Sequence, residues 1–217
     1  MNRTRKWQIP PPSEPATDEY LTSVTIGERK PLNDRIQLAE YDLRWPSMFS
    51  VAANKIRSGL SAKALLVEHV GSTSVPGLAA KPIIDMLLGV ADAADEESYV
   101  PPLEQQGFVL RAREPGWYEH RFFRLKSGDM GWHLHVFSAD CEEIDRMLAF
   151  RNWLRVHDDD RQRYENVKRT LAARTWKHMQ NYADAKADIV REMLGRAQEQ
   201  AGGDAAPSGG PQGYEQG

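Results

Sequence analysis

Cysteine is almost missing from this chain. Cys141 is the single one in 217 residues, so no intrachain disulfide can form, and a reducing compartment is the simpler setting. A long hydrophobic run is missing too. Nothing approaches the roughly 18 apolar residues of a membrane span, and no apolar segment follows the charged start. No signal peptide and no membrane partner are therefore expected, and the expected location is cytoplasmic. The formal net charge of −3 lacks the basic excess of a nucleic-acid binder, so no nucleic-acid partner is expected either. Both ends lack a sustained hydrophobic period. Pro10, Pro11, Pro12 and Pro15 cannot share a helix or a central strand. Residues 1–33 read as a flexible or surface-wrapping arm, with a short strand at 21–26 as a lesser option. Residues 197–217 hold almost no large apolar side chain and read as a disordered tail. One domain, 34–196, remains.

Within that domain the periods alternate. Pro46 suits a helix start, and Met48, Val51, Ala52, Ile56 and Leu60 recur at helical spacing over 47–60, ending near Gly59. Residues 36–38 read as a short strand. Residues 64–70 and 83–90 are apolar runs with β-branched members, expected as central strands buried on both faces. Residues 92–107 read as helix interrupted at Pro101-Pro102, 108–110 as a short strand, and 113–117 as a turn. Residues 120–125 and 132–137 read as strands joined by a hairpin over 126–129. From Asp140, the expected cap, the period becomes helical: one helix to about Val156, a second capped by Asp158, and a third over 176–193 ending near Gly195.

The chemistry concentrates between Glu68 and Val90. An apolar run ends in Gly71-Ser72, a turn rich in small residues carries Lys81, and a second apolar run holds Asp85. A glycine after a strand lets the backbone approach a ligand, and Ser72, Thr73 and Ser74 offer hydroxyls and N–H groups to a phosphate. Asp85 sits among apolar neighbours and needs a partner: a salt bridge or backbone donors on one reading, a metal or a base role on the other. His133 and His135 are two apart on a strand and share a face. They suit a metal, a phosphate or acid–base work, or else are half-buried polar residues at a sheet edge. Lys81 and Arg124 are the cations best placed to neutralise phosphate. His69 and His120 are possible additions to the site. Arg44, Arg121 and Arg151 read first as surface charges, and Trp45 as a helix anchor.

The run from His69 to Asp85, His-Val-Gly-Ser-Thr-Ser-Val-Pro-Gly-Leu-Ala-Ala-Lys-Pro-Ile-Ile-Asp, resembles the signature of the GrpB (UPF0157-like) family, within the nucleotidyltransferase-fold superfamily. Tyr41-Asp42-Leu43-Arg44-Trp45-Pro46, the strand around His133 and His135, and Phe150-Arg151-Asn152-Trp153-Leu154-Arg155 resemble that family as well. The resemblance covers about 35–195. It implies an α+β fold: a nucleotidyltransferase-like mixed β-sheet flanked by helices, with a C-terminal helical segment. It also implies a pocket for ATP or another nucleoside triphosphate at Gly71, Ser72, Thr73, Ser74, Lys81 and Arg124. A divalent metal (Mg, Mn or Zn) would sit at Asp85, His133 and His135, which would also be the catalytic residues. The expected activity is transfer of a nucleotidyl or adenylate-activated acyl group involving a small-molecule acceptor. The alternatives are a non-catalytic nucleotide-binding module, or a metal-dependent enzyme of another class on the same three residues. In one respect the chain departs from a working nucleotidyltransferase. Such enzymes follow Gly-Ser with two acids on one strand face that hold Mg²⁺ ions, and here the partner position is Leu87.

Overall fold

The computed structural model describes residues 7–11, 14–29, 31–125 and 130–203. The 126–129 connection and the tail from 204 onward lie outside them. Helix α1 (Asp18–Val24) is followed by α2 (Trp45–Leu60), β1 (Leu66–Val70), β2 (Ile83–Val90), α3 (Val100–Gln105), β3 (Phe108–Glu114), β4 (His120–Leu125) and β5 (Gly131–Ser138). Helices α4 (Glu142–Val156), α5 (Asp158–Ala172), α6 (Met179–Asp184) and α7 (Ala187–Gly203) complete the chain. This is an α+β fold with one mixed sheet in the order β1-β2-β5-β4-β3. Only β2 and β5 run parallel; the other neighbours are antiparallel.

Successive side chains on a strand point to opposite faces, and the two faces here do different work. On one, Ile84, Met86, Leu88, Phe123, Leu134 and Val136 are buried with Ala53, Ile56 and Leu60 of α2 and Leu103 of α3. Burial of each such large side chain contributes roughly 1.5–3 kcal/mol. On the other face, Val70, Leu87 and Phe137 meet Ile144 of α4, and the turn at Gly71 passes over Asp85. The polar residues of β2, β4 and β5 occupy the rest of that face.

Several local expectations change. The 64–70 run becomes β1, at a sheet edge rather than in the centre. The 36–38 strand is absent; only the bridges Asp34 to Trp176 and Ala39 to Ala80 form there. The possible strand at 21–26 is mostly helix, because the Thr17 hydroxyl caps the Tyr20 N–H and only Thr25 bridges the sheet, at Ala112. β3 runs on to Glu114 past an irregularity between Leu110 and Ala112. Cys141, not Asp140, caps α4, its sulfur accepting from the Glu143 N–H. Asp158 lies inside the first turn of α5, and His157 precedes it as the cap. The expected third C-terminal helix is broken into α6 and α7, and α7 continues past Gly195 to Gly203. The arm lies against the domain. Arg146 donates to Gln8 O, Asn181 to Ala16 O, and Asp18 pairs with Lys177 and His178. No helix among the described residues is long and apolar enough to cross a membrane.

Candidate functional site

Register brings the strand acids and bases together. Asp85 on β2 lies opposite His133 on β5, and Leu87 opposite His135. Phe122 and Arg124 on β4 face His135 and His133 in turn. His133 Nδ1 is 3.3 Å from Asp85 Oδ1, and His135 Nε2 is 3.9 Å from the same oxygen. Burial pushes the Asp85 carboxyl up, but the two imidazoles outweigh this and hold it well below the usual carboxylate range. Burial lowers His133 in turn, against the pull of Asp85. Above this carboxylate passes Gly71, with φ +66°. A Cβ there would stand 2.5 Å from Asp85 Oδ2, so glycine is required both by the backbone and by the carboxylate beneath it.

The turn from 71 to 81 is held firmly. Val75 and Leu78 plug into a cluster formed by Leu154, Tyr164, Ile189 and Met193 of the C-terminal helices. Arg155 donates twice to Ser74 O, and Lys168 Nζ donates to Ala79 O at 2.5 Å. Thr73 and Ser74 depart from expectation. Both are buried; Thr73 Oγ1 bonds Ile83 O and His69 Nε2, and Ser74 Oγ bonds Gly71 O. Their hydroxyls tie the turn. Ser72 is half-exposed and within hydrogen-bonding reach of the Tyr164 phenol, which also feels the Asp85 charge.

Beside Asp85 stands a group of cations larger than the sequence suggested. Lys81 was expected. It contacts Met179 Sδ at 2.8 Å and lies over the Tyr182 ring. Lys186 lies over the same ring, 4.5 Å from its centroid, and Lys168 lies over Tyr164. The contacts that hold these ammonium groups are neutral ones. Burial, reinforced by their mutual repulsion, lowers Lys168 to about 7 and Lys186 to about 8. Burial and Arg124 lower Lys81, while Asp85 pulls Lys81 and Lys186 the other way. Arg124 is lowered by burial and by Arg111. It helps line an open cleft of about 430 Å³ together with Leu32, Ile83, Gly131, His133 and Met179. Lys168 and Lys186 were missed, although a signal exists: each follows a tyrosine by four residues, Tyr164 and Tyr182. That spacing places side chains on one face of a helical turn, and a lysine on an inward face is unusual.

The remaining candidates separate cleanly. His69 points to the other face of the sheet, stacks on Phe49 and is lowered to about 4 by burial; it is outside the site. His120 is inside it, with Nε2 3.1 Å from His135 Nδ1. Arg151 binds Glu68 and His69 O, Arg121 binds Glu96 and Glu119 on the helix-covered side, and Arg44 binds Asp42 at the surface. Trp45 is a core anchor, 1% exposed. Leu87 is fully buried among Val70, Phe137 and Ile144.

The donor set can be tested against a metal. Mg²⁺ prefers six oxygen ligands, and here one carboxylate meets two imidazoles, with a packed leucine where a second carboxylate would stand. The set suits a softer ion, but among the described residues no three His, Cys, Asp or Glu side chains are placed to share one ion. The trio is arranged as a carboxylate flanked by imidazoles.

Comparison with known proteins adds relatives. A family model described as GrpB protein matches residues 35–196. A UPF0157 protein of Halalkalibacterium halodurans is 59% identical over 185 residues, covering 85% of this chain and 94% of that protein. A UPF0157 protein of Streptomyces coelicolor is 44% identical over 162 residues, covering 75% of this chain and 84% of that protein. Among solved structures, the conserved protein GrpB from Enterococcus faecalis aligns with a TM-score of 0.65 at 30% identity, over 76% of this chain and 99% of that one.

Proposed function

This chain belongs to the GrpB family, and from that premise we propose that its cleft binds the phosphate chain of ATP or another nucleoside triphosphate and transfers a nucleotidyl group to a small-molecule acceptor. The family name specifies no reaction, so the residues carry the reading. The observation that carries it is the group of Lys81, Lys186 and Arg124, backed by Lys168, gathered beside Asp85 without carboxylates in direct contact. Cations kept together at a cost in proton affinity favour a polyanion that restores it. Lys81 and Lys186, both over the Tyr182 ring, would hold the β- and γ-phosphates. Arg124 would take a further oxygen, and Gly71 lets the backbone come close.

In the transfer, the acceptor oxygen forms a bond to the α-phosphorus. The bond from that phosphorus to the bridging oxygen breaks, and its electron pair leaves with pyrophosphate, whose charge the lysines offset. The acceptor proton goes to the imidazole of His135. Asp85 orients His133 and stabilises the positive charge that develops. A Mg²⁺ pair does not fit the residues present, and no step here runs through a metal. The buried Leu87 favours a second reading, a module that binds nucleotide without turning it over.

Calorimetric titration with each of the four nucleoside triphosphates, and with inorganic triphosphate, tests the binding. Lys186→Met is expected to weaken it about 10- to 100-fold, as loss of a charge-assisted contact of roughly 1.5–3 kcal/mol requires. Affinity unchanged in Lys186→Met and Lys81→Met would remove the reading. Pyrophosphate release across a pool of small alcohols, amines and carboxylates then separates transferase from module.

A further inference from the structure

A chain of hydrogen bonds leads away from the cleft across the open face of the sheet. Tyr20 of the arm donates its hydroxyl to Glu114 Oε1 at 2.7 Å. Glu114 Oε2 is 2.6 Å from His120 Nδ1, and His120 Nε2 is 3.1 Å from His135 Nδ1. His135 Nε2 then looks toward Asp85 Oδ1 from 3.9 Å. The four links come from the arm, β3, β4 and β5, so only the folded topology assembles them.

The direction of each bond follows from what each group can donate. An ionised carboxylate only accepts, so His120 must donate from Nδ1 to Glu114. A neutral imidazole carries one proton, so Nε2 of His120 is then an acceptor, and His135 must donate to it from Nδ1. The proton of His135 is thereby placed, and its Nε2 is left with a lone pair. The 3.9 Å gap to Asp85 is longer than a direct hydrogen bond, and the hold on the carboxylate falls mainly to His133, at 3.3 Å. Two observations support the premises. Burial lowers His120 to about 4, which keeps it neutral near pH 7. Burial raises Glu114, but its bonds to His120 and Tyr20 more than reverse this, which keeps it ionised. His120 cannot easily turn away: it is 2% exposed and packed between Phe137 and Trp117, with ring centroids 4.7 and 4.8 Å away.

We propose that Glu114 and His120 are positioning residues that hold His135 in its Nδ1–H tautomer, so that Nε2 faces the cleft as a proton acceptor for a hydroxyl or amine of the bound molecule. The groups facing His135 are Asp85, His133 and Phe122 besides His120. With Asp85 negative and Nε2 bare, the space between them is a seat for a donor hydrogen. The identity of what occupies it rests on the transferase reading; the tautomer does not.

The test uses the full, ligand-free chain with ¹⁵N-labelled histidine, and reads two-bond ¹H–¹⁵N couplings of His135 near neutral pH. The expected pattern is a protonated Nδ1 and a bare Nε2. An Nε2–H tautomer, or an imidazolium at that pH, overturns the proposal. In His120→Phe the acceptor is lost while an aromatic ring stays, and His135 is expected to move its proton to Nε2, toward Asp85. His120→Gln returns a carbonyl acceptor and is expected to restore Nδ1–H. Glu114→Leu serves if the His120 variants do not fold: His120 is then free to take either tautomer, and His135 should show a mixture. An unchanged Nδ1–H signal in every folded variant overturns the proposal. The measurement needs no nucleotide, so its failure and a failure of nucleotide binding are distinguishable.

Discussion

At Gly71 a backbone conformation and a side chain compete for one space. The residue has φ +66°, and its missing Cβ is what admits Asp85 Oδ2. Gly71→Ala therefore meets two penalties at once, left-handed strain and a clash with a carboxylate that His133 holds from the other side. A loss of roughly 1–3 kcal/mol is expected, read as a lower Tm, with triphosphate affinity falling alongside because Asp85 must move. A variant with wild-type Tm and wild-type affinity would show that the turn has room the geometry does not show. Part of this site was legible in the residues themselves. Gly71, Asp85, His133, His135, Lys81 and Arg124 do gather, because strand parity fixes which side chains share a face. The hydroxyls of Thr73 and Ser74 bond within their own turn, because such side chains bond a turn as readily as a ligand, and nothing in the residue type says which. His120 reads from sequence only as a possible addition, because its contact with His135 depends on the β4–β5 register, which no local pattern sets.

At the scale of elements, the 71–81 turn works only because the helices of the C-terminal half close over it. Leu78 is fully buried in their cluster, with Val75 beside it. Leu78→Ala is expected to cost about 2–5 kcal/mol, the range for emptying a buried leucine site. Denaturant unfolding monitored by circular dichroism measures it. Because the cavity opens directly beneath the turn, phosphate binding should weaken even where the variant stays folded; a large stability loss with intact affinity would mean that the turn keeps its shape without the plug. The helices that supply this cluster were visible as periods in the sequence. Their ends were not, since termini depend on caps and on contacts. The α4 cap fell to the Cys141 sulfur, one residue from the acid that looks like the better cap, and the break between α6 and α7 interrupts a stretch that is apolar at helical spacing throughout. The edge position of β1 escaped notice because α2, packed along it, buries part of an edge strand as a neighbouring strand would.

For the molecule as a whole, net charge is a poor guide to where charge matters. The sum is −3, yet Lys81 and Lys186 stand near Asp85, with Arg124 close to Lys81 and Lys168 close to both lysines, and this has a consequence for pH. Lys168 and Lys186 fall to about 7 and about 8 in the folded chain, whereas an unfolded lysine titrates near 10.4. Below pH 7 both states are protonated and the folded one bears the repulsion. Between the folded and unfolded values the unfolded chain binds more protons, so the contribution to stability rises with pH through this window and levels off above it. Chemical denaturation at pH 7 and pH 9.5 reads the rise. Other groups titrate in the same range, so the comparison is with the Lys168→Met, Lys186→Met double variant, in which the lysine share of the rise should vanish. A bound triphosphate reverses the preference, since it favors the protonated lysines. Its affinity should therefore fall from pH 7 to pH 9.5, and binding near pH 8 should take up protons, detected as a heat that scales with the ionisation enthalpy of the buffer. A pH-independent affinity together with no proton uptake would mean that these lysines serve the turn and the helices alone, and that the phosphate chain lies elsewhere on the open face.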